Sequence, residues 1–303
     1  MKAQVAVERA TREKTIIPAF NIPYLPMMQP VVHAIVEENS VAMIQVARLE
    51  WEKFKSKSLE AVAEEYSKYA KPEYTLLHLD HVPVIDEDNK EVDYLPIIER
   101  AIKAGYQSVM IDASRLPLED NIAATKLAVE LAHVSDVPVE AELGAVAGHE
   151  SGGIGISYEE LFRTKKGFTD ADEAKRFVYE TGCDWLSIAA GSVHGAIAEN
   201  TRKQKKPEAR LDIEHIAALH KAVCGIPLVL HGGSGIKQEY ILSAIQNGIA
   251  KINVAADIRQ SYEFALDEKP GDIEYAQQRV YDKTRWLIHD FLKTTGNRNR
   301  LFA

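Results

Sequence analysis

The sequence has little of what would tie it to a membrane, to nucleic acid or to an oxidising compartment. It has two cysteines, Cys183 and Cys224, too few for a disulfide framework, and neither sits in a C-x-x-C metal pair. Both are expected to be reduced packing residues. No apolar run approaches the roughly 20 residues of a bilayer span. The opening stretch from Met1 to Lys14 mixes charges with short apolar residues and lacks the apolar block of a secretory signal. The expectation is a cytoplasmic protein with no membrane partner. Positive charge is also short: 36 lysines and arginines face 45 aspartates and glutamates, a formal net charge of −9. Nucleic acid needs a basic face and is not an expected partner. An anionic small molecule would have to be held by local groups rather than drawn in by the overall field.

What is there is a globular composition, 46% hydrophobic and 27% charged over 303 residues, enough to bury a sizeable core. Eight short β-branched or apolar runs recur: Ile16–Ile22, Val41–Ala47, Tyr74–Asp80, Ser108–Ala113, Pro138–Gly144, Trp185–Ala190, Pro227–Gly232 and Lys251–Ala256. Near-continuous apolar character marks strands buried on both faces, as in parallel sheets. Helical patterns lie between them: a stretch with Pro30 near its start running to Glu38, then Leu95–Ala104, Asn121–Val134, Asp170–Glu180, Asp212–Val223, Gln238–Asn247 and a long terminal pattern Asp272–Thr295. Several end one or two residues before a glycine suited to a left-handed cap: Gly105, Gly182, Gly225 and Gly248. Eight alternating units in about 260 residues predict a closed (β/α)8 TIM barrel, one domain over residues 1–303, rather than a doubly wound sheet. Two connections are long. Ala145–Thr169 is glycine-rich and reads as a surface loop or as a lid carrying a catalytic group. Gly195–Leu211 holds the basic run Arg202–Lys206, which reads as a solvated face.

Polar residues fall where a barrel keeps its chemistry, at the C-terminal ends of the strands. Asn21 ends the first run, Asp80 and His81 the third, Asp112 the fourth, Glu142 the fifth and His231 the seventh, while His194 follows the sixth and Asn253 lies in the eighth. Imidazole suits zinc, and a catalytic zinc takes about three protein ligands and keeps an open position. His81, His194 and His231, with Glu142 and Asp112 nearby, therefore read as a metal set whose ion would polarise a carbonyl and stabilise an enediolate. The segment His231-Gly232-Gly233-Ser234-Gly235 reads as an anion cradle or as a tight strand-to-helix turn.

In this order the segments Ala19-Phe20-Asn21, Leu77-His78-Leu79-Asp80-His81, Val109–Ser114, Glu140-Ala141-Glu142-Leu143-Gly144, Gly191-Ser192-Val193-His194-Gly195, Leu230–Gly235 and Lys251-Ile252-Asn253-Val254 resemble the class II fructose- and tagatose-bisphosphate aldolases. The resemblance runs from about Ile16 to the terminal helix. It implies a lyase that cleaves a ketose 1-phosphate or 1,6-bisphosphate reversibly into dihydroxyacetone phosphate and an aldehyde. It implies zinc on His81, His194 and His231, with Glu142 a ligand of an alternative, more buried metal position and Asp112 close by. Asp80 would be the acid/base at the C4 hydroxyl, Glu150 would exchange the proton on the ketone half, and Asn253 would hydrogen-bond the dihydroxyacetone part. Asn21 would line the substrate site. Gly195, Gly232, Gly233 and Ser234 would hold the phosphate, with a monovalent cation (Na+ or K+) near Val193, Gly195 and Gly232. The resemblance also implies a homodimer or homotetramer with a small-molecule sugar-phosphate substrate.

The departures concern the substrate's far end. Members that use fructose bisphosphate usually read Asn-x-Asp-Thr-Asp, where this chain has Asn253-Val254-Ala255-Ala256-Asp257; Ala255 matches the tagatose type. After the second run the family usually has Gln-x-Ser-x-Gly, where this chain has Gln45-Val46-Ala47-Arg48-Leu49-Glu50. The serine for the distal phosphate is gone, and Arg48 and Glu50 are new. Arg259 matches an arginine that reaches a neighbouring subunit's distal phosphate. The expectation is an intact metal and proton-transfer core with a remodelled distal site, open to a phosphate, sulfonate, carboxylate or uncharged end. Two alternatives stand beside it: a metal-dependent sugar-phosphate isomerase or epimerase, and a non-catalytic barrel subunit of a sugar-phosphate pathway.

Overall fold

A computed structural model of the chain describes residues 2–144, 158–192 and 209–302. Eight parallel strands close into a barrel in chain order: β1 Ile17–Asn21, β2 Ala42–Ala47, β3 Thr75–Pro83, β4 Ser108–Asp112, β5 Val139–Leu143, β6 Trp185–Ile188, β7 Leu228–Leu230 and β8 Ile249–Val254. Each expected run holds or overlaps one strand, and β8 pairs back onto β1 through Ile17–Lys251 and Ala19–Asn253. Apart from the mouth end of β3, the strands are buried throughout. Helices cover the outer face, and the strands' own side chains fill the inner one.

The outer helices are α2 Met28–Glu37, α4 Leu59–Tyr69, α5 Tyr94–Lys103, α6 Leu118–His133, α8 Ala171–Thr181, α9 Ile213–Ala222, α10 Gln238–Gln246, α11 Ala256–Glu268 and α12 Ile273–Trp286. Shorter pieces are α3 Arg48–Lys53, α7 Tyr158–Thr164 and α13 Asn297–Leu301. The terminal pattern expected over Asp272–Thr295 stops being α-helical at Trp286 and continues as a single π-helical segment, Leu287–Phe291. Gly182 ends α8 at φ 68°, a left-handed cap that a side chain would strain. Among the described residues no helix is long and apolar enough to cross a membrane.

Two separate cores result. The larger lies between sheet and helices, and the smaller fills the bottom of the barrel with Ile17, Ala19, Val41, Met43, Leu76, Trp185 and Val229. Helix α1, Ala3–Arg12, closes that floor from below with Ala3, Ala6, Val7 and Ala10, a 3-4 spacing of small side chains that lets it lie close to the strand ends. Composition of the opening stretch gave no helix there, because the apolar stripe is made mostly of alanines. Of the cysteines, Cys183 is buried, and burial pushes its thiol up to about 12. Cys224 is exposed at the end of α9, so it is not the packing residue expected.

Above the floor the inward positions turn polar, with Gln45, His78, Ser108, Glu140, Ser187 and Lys251 all fully buried. The barrel is therefore an apolar plug below and a hydrogen-bonded tier above, under the mouth. Because the plug leaves a void if truncated, Met43→Ala is expected to cost about 2–5 kcal/mol. Urea unfolding checks it: an unchanged midpoint would mean that the floor is not tightly packed.

Candidate active site

Adjacent strand residues normally point to opposite faces, yet Asp80 and His81 both reach the mouth. The pairing of β3 with β4 shifts between Leu79 and Val82, and His81 takes φ 28°. This bulge inserts the extra residue that turns both side chains inward. A non-glycine residue at positive φ costs on the order of 1–3 kcal/mol, and such strain collects at functional sites.

Asp80 is 2% exposed and its carboxylate is held by three amides. Asn253 Nδ2 donates to Oδ1 at 2.8 Å, while Asn21 Nδ2 and Gln45 Nε2 donate to Oδ2 at 2.9 and 3.2 Å. The amides are themselves oriented. Lys251 Nζ, which can only donate, holds Asn253 Oδ1 at 2.6 Å, and Gln45 Nε2 holds Asn21 Oδ1 at 2.8 Å.

The two described histidines of the expected metal set meet. His81 Nε2 and His231 Nδ1 are 2.7 Å apart. The far nitrogen of each faces a carboxylate: His81 Nδ1 lies 3.1 Å from Asp112 Oδ2, and His231 Nε2 lies 2.8 Å from Glu140 Oε1. Asn253 Nδ2 also lies 3.1 Å from His231 Nε2, so this nitrogen stands between a carboxylate and an amide donor, while each ring has a carboxylate beside it, as metal-binding histidines commonly do. Glu142 Oε2 lies 3.3 Å from His231 Nδ1. Ligand atoms of His81, Asp112 and Glu142 all lie within 4.8 Å of one another, as do those of Asp80, His81 and His231. His194, Glu150 and Gly195 lie outside the described residues.

Sequence reasoning gave no role to the tier beneath. Glu140 Oε2 is 2.9 Å from Lys251 Nζ, and both side chains are fully buried. His78 Nδ1 bonds Ser108 Oγ at 2.8 Å, and burial, with the Lys251 charge beside it, holds this imidazole well below its usual range. The signal was available: a lysine and two glutamates at alternate positions of otherwise apolar strands.

At the β7–β8 edge, Gly232 has φ 69° and Gly233 sits where a Cβ would come within 2.7 Å of Ile252 and 3.0 Å of the Asn253 carbonyl. The Gly233 N–H donates to that carbonyl at 3.3 Å, so it is committed to the fold. Ser234 Oγ accepts the Asp257 N–H at 3.4 Å, at the start of α11. This edge thus combines a tight turn with a helix N-terminus, where an anion is favoured.

A model of the class II fructose-bisphosphate aldolases matches residues 1–298. The chain belongs to this family. A fructose-bisphosphate aldolase of Streptococcus pneumoniae is 36% identical over 216 residues, 70% of this chain and 64% of that enzyme's length. Among solved structures, the YdjI aldolase of Escherichia coli K12 superposes with a TM-score of 0.76 at 28% identity, covering 97% of this chain and 98% of that one. The fructose-bisphosphate aldolase of Campylobacter jejuni, at 19% identity and a TM-score of 0.70 over 96% and 94% of the two chains, shares the fold.

Within this class II aldolase scaffold the segment after β2 is a helix, α3, rather than an open loop. Arg48 faces Asp86 at 3.5 Å. Glu50 is buried, and its Oε2 accepts the Ala47 N–H at 2.9 Å and Asn21 Nδ2 at 3.2 Å. Burial, reinforced by the nearby Asp80 charge, pushes its carboxyl up to about 8. Arg259 is buried too, donating to Glu263 Oε2 at 2.8 Å and lying over the Phe54 ring.

Two outcomes follow. Between pH 4.5 and about 8 the unfolded chain releases a proton that folded Glu50 keeps, so this residue costs stability increasingly as pH rises through that window. Glu50→Gln is expected to gain on the parent protein from pH 4.5 to 8 and to match it below; a pH-independent difference in thermal unfolding would contradict this. Lys251→Met leaves the Glu140 charge buried and unpaired, at about 3–5 kcal/mol, and Lys251→Met with Glu140→Gln should recover much of it. Denaturant midpoints of the single and double variants decide.

Proposed function

We propose that this chain is a zinc-dependent class II aldolase that cleaves a ketose 1-phosphate or 1,6-bisphosphate reversibly to dihydroxyacetone phosphate and an aldehyde. The observation that carries the reading is the face-to-face pair of imidazoles. His81 Nε2 and His231 Nδ1 lie 2.7 Å apart, with Asp112 and Glu142 beside them, close enough for one ion to be shared. Nitrogen donors with an adjacent carboxylate suit a borderline-soft ion such as zinc. In this reading His194 completes the set, and Glu142 and Asp112 serve a more buried alternative position. Bound there, zinc would supply Lewis-acid polarisation of the substrate ketone.

The chain's own groups do the rest. Asp80, next to that point and held by three amides, takes the proton from the hydroxyl beyond the bond to be cleaved. The carbon–carbon bond then breaks, the aldehyde forms, and the electron pair stays on the ketone half until Glu150 protonates it. Two carboxylates thus handle two different protons. Asn253 and Asn21 hydrogen-bond substrate hydroxyls. Gly195, Gly232 and Ser234, with the N-terminus of α11, hold the phosphate, with a monovalent cation near Gly232.

Dihydroxyacetone phosphate offered with glycolaldehyde tests the reaction. Condensation that disappears on chelation and returns with zinc is expected. Recovery of an isomerised or epimerised sugar phosphate, with no three-carbon fragment formed, would favour the isomerase reading instead. Asp80→Asn should lower kcat by about 100- to 10,000-fold with zinc content unchanged. His81→Ala should lose the metal itself, as elemental analysis would show; full zinc occupancy in that variant contradicts the site.

A further inference from the structure

Glu50 has no part in the chemistry above, yet it is buried beside the group that does. Helix α3 starts directly after β2 and turns Glu50 back over the strand end, where Oε2 takes the Ala47 and Asn21 donors. The same Asn21 nitrogen is 2.9 Å from Asp80 Oδ2, so two carboxyl groups flank one amide. Glu50 is 6% exposed, and both of these hydrogen bonds fall on Oε2 rather than Oε1. Of the cations nearby, Arg48 faces Asp86 and Arg259 bonds Glu263, while Arg115 bonds only neutral acceptors, the Asp86 carbonyl and Asn89, which leaves Asp80, Glu50 and Asp112 against one uncompensated guanidinium. This side of the mouth therefore carries surplus negative charge, opposite in character to the β7–β8 edge with its helix N-terminus.

We propose that Glu50 reads the aldehyde half of the substrate, with Oε1 hydrogen-bonding a hydroxyl there and the carboxyl excluding a phosphate, sulfonate or carboxylate from the same place. This rests on the aldolase reading and names a substrate class within it: hydroxyaldehydes uncharged at the far end. The chemistry favours a hydroxyl because it both donates and accepts, and so matches a carboxyl in either protonation state. A phosphate dianion only accepts and needs several donors, preferably cationic ones. Next to Asp80 and Glu50 it meets at most one proton, and the like charges repel.

The test is condensation of dihydroxyacetone phosphate with glyceraldehyde, with glyceraldehyde 3-phosphate, and with glycolaldehyde as the short control, for the parent protein, Glu50→Gln and Glu50→Ser. Gln keeps both accepted hydrogen bonds and removes only the acid, so it serves if the Ser variant does not fold. The parent is expected to favour glyceraldehyde over its 3-phosphate by about tenfold or more in kcat/KM. Both variants should narrow that ratio by about tenfold, Gln through better use of the phosphorylated aldehyde. A parent that prefers the 3-phosphate overturns the assignment. So does a proportional loss on all three aldehydes in both variants, the pattern of a residue that only caps α3 and positions Asn21. Failure of every aldehyde, glycolaldehyde included, overturns the aldolase reading and this assignment with it.

Discussion

Two imidazoles from strands far apart in the chain, brought to 2.7 Å of one another, are the contact that the rest of the barrel is built to maintain. Each ring is fixed by a carboxylate on its far nitrogen, Asp112 behind His81 and Glu140 behind His231. Glu140 would carry an uncompensated charge at full burial if Lys251 did not stand 2.9 Å away. Buried charges are tolerable only when paired and hydrogen-bonded. Lys251 meets that demand twice, since the same ammonium fixes the Asn253 amide that holds Asp80. One buried cation thus couples the surroundings of His231 to the orientation of the neighbouring carboxylate.

Such a tier contributes little net stability of its own, because desolvation offsets most of what the pairs gain. Stability has to come from elsewhere, and the division of the barrel supplies it. The floor is apolar, with Met43, Leu76, Trp185 and Val229 packed and α1 sealed beneath, and the larger core lies outside the sheet. Rigidity below and around the polar tier is what lets two unfavourable features coexist above it: His81 at positive φ and Glu50 with its raised carboxyl.

Two sides of the mouth differ in kind. At the β7–β8 edge glycines bring backbone close, and α11 begins with its N–H groups near Ser234, a setting that suits an anion. After β2 the chain folds at once into α3, and an acid rather than a serine lies over the strand end. Membership of the class II aldolase family does not explain that contrast, which lies in the charge that each side presents.

The strand runs and their order determined the closed barrel, since eight apolar segments separated by helical patterns have few other ways to bury both faces of a parallel sheet. They also located Asn21, Asp80, Asp112, Glu142, His231 and Asn253, because strand ends converge in a barrel whatever the loops do. The helix α1 escaped notice since its stripe is mostly alanine, and α3 since its six residues make fewer than two turns. Chain order alone could not show that adjacent Asp80 and His81 share the mouth, because an unbroken strand would send them to opposite faces; the bulge depends on the pairing of β3 with β4. Nor could it show that Lys251 and Glu140 meet, or that Glu50 returns to Asn21, for these contacts join strands distant in sequence. The sequence by itself set which residues reach the rim. Only closure of the sheet decided which of them touch, because side-chain distances across a barrel are set by the register of all eight strands together.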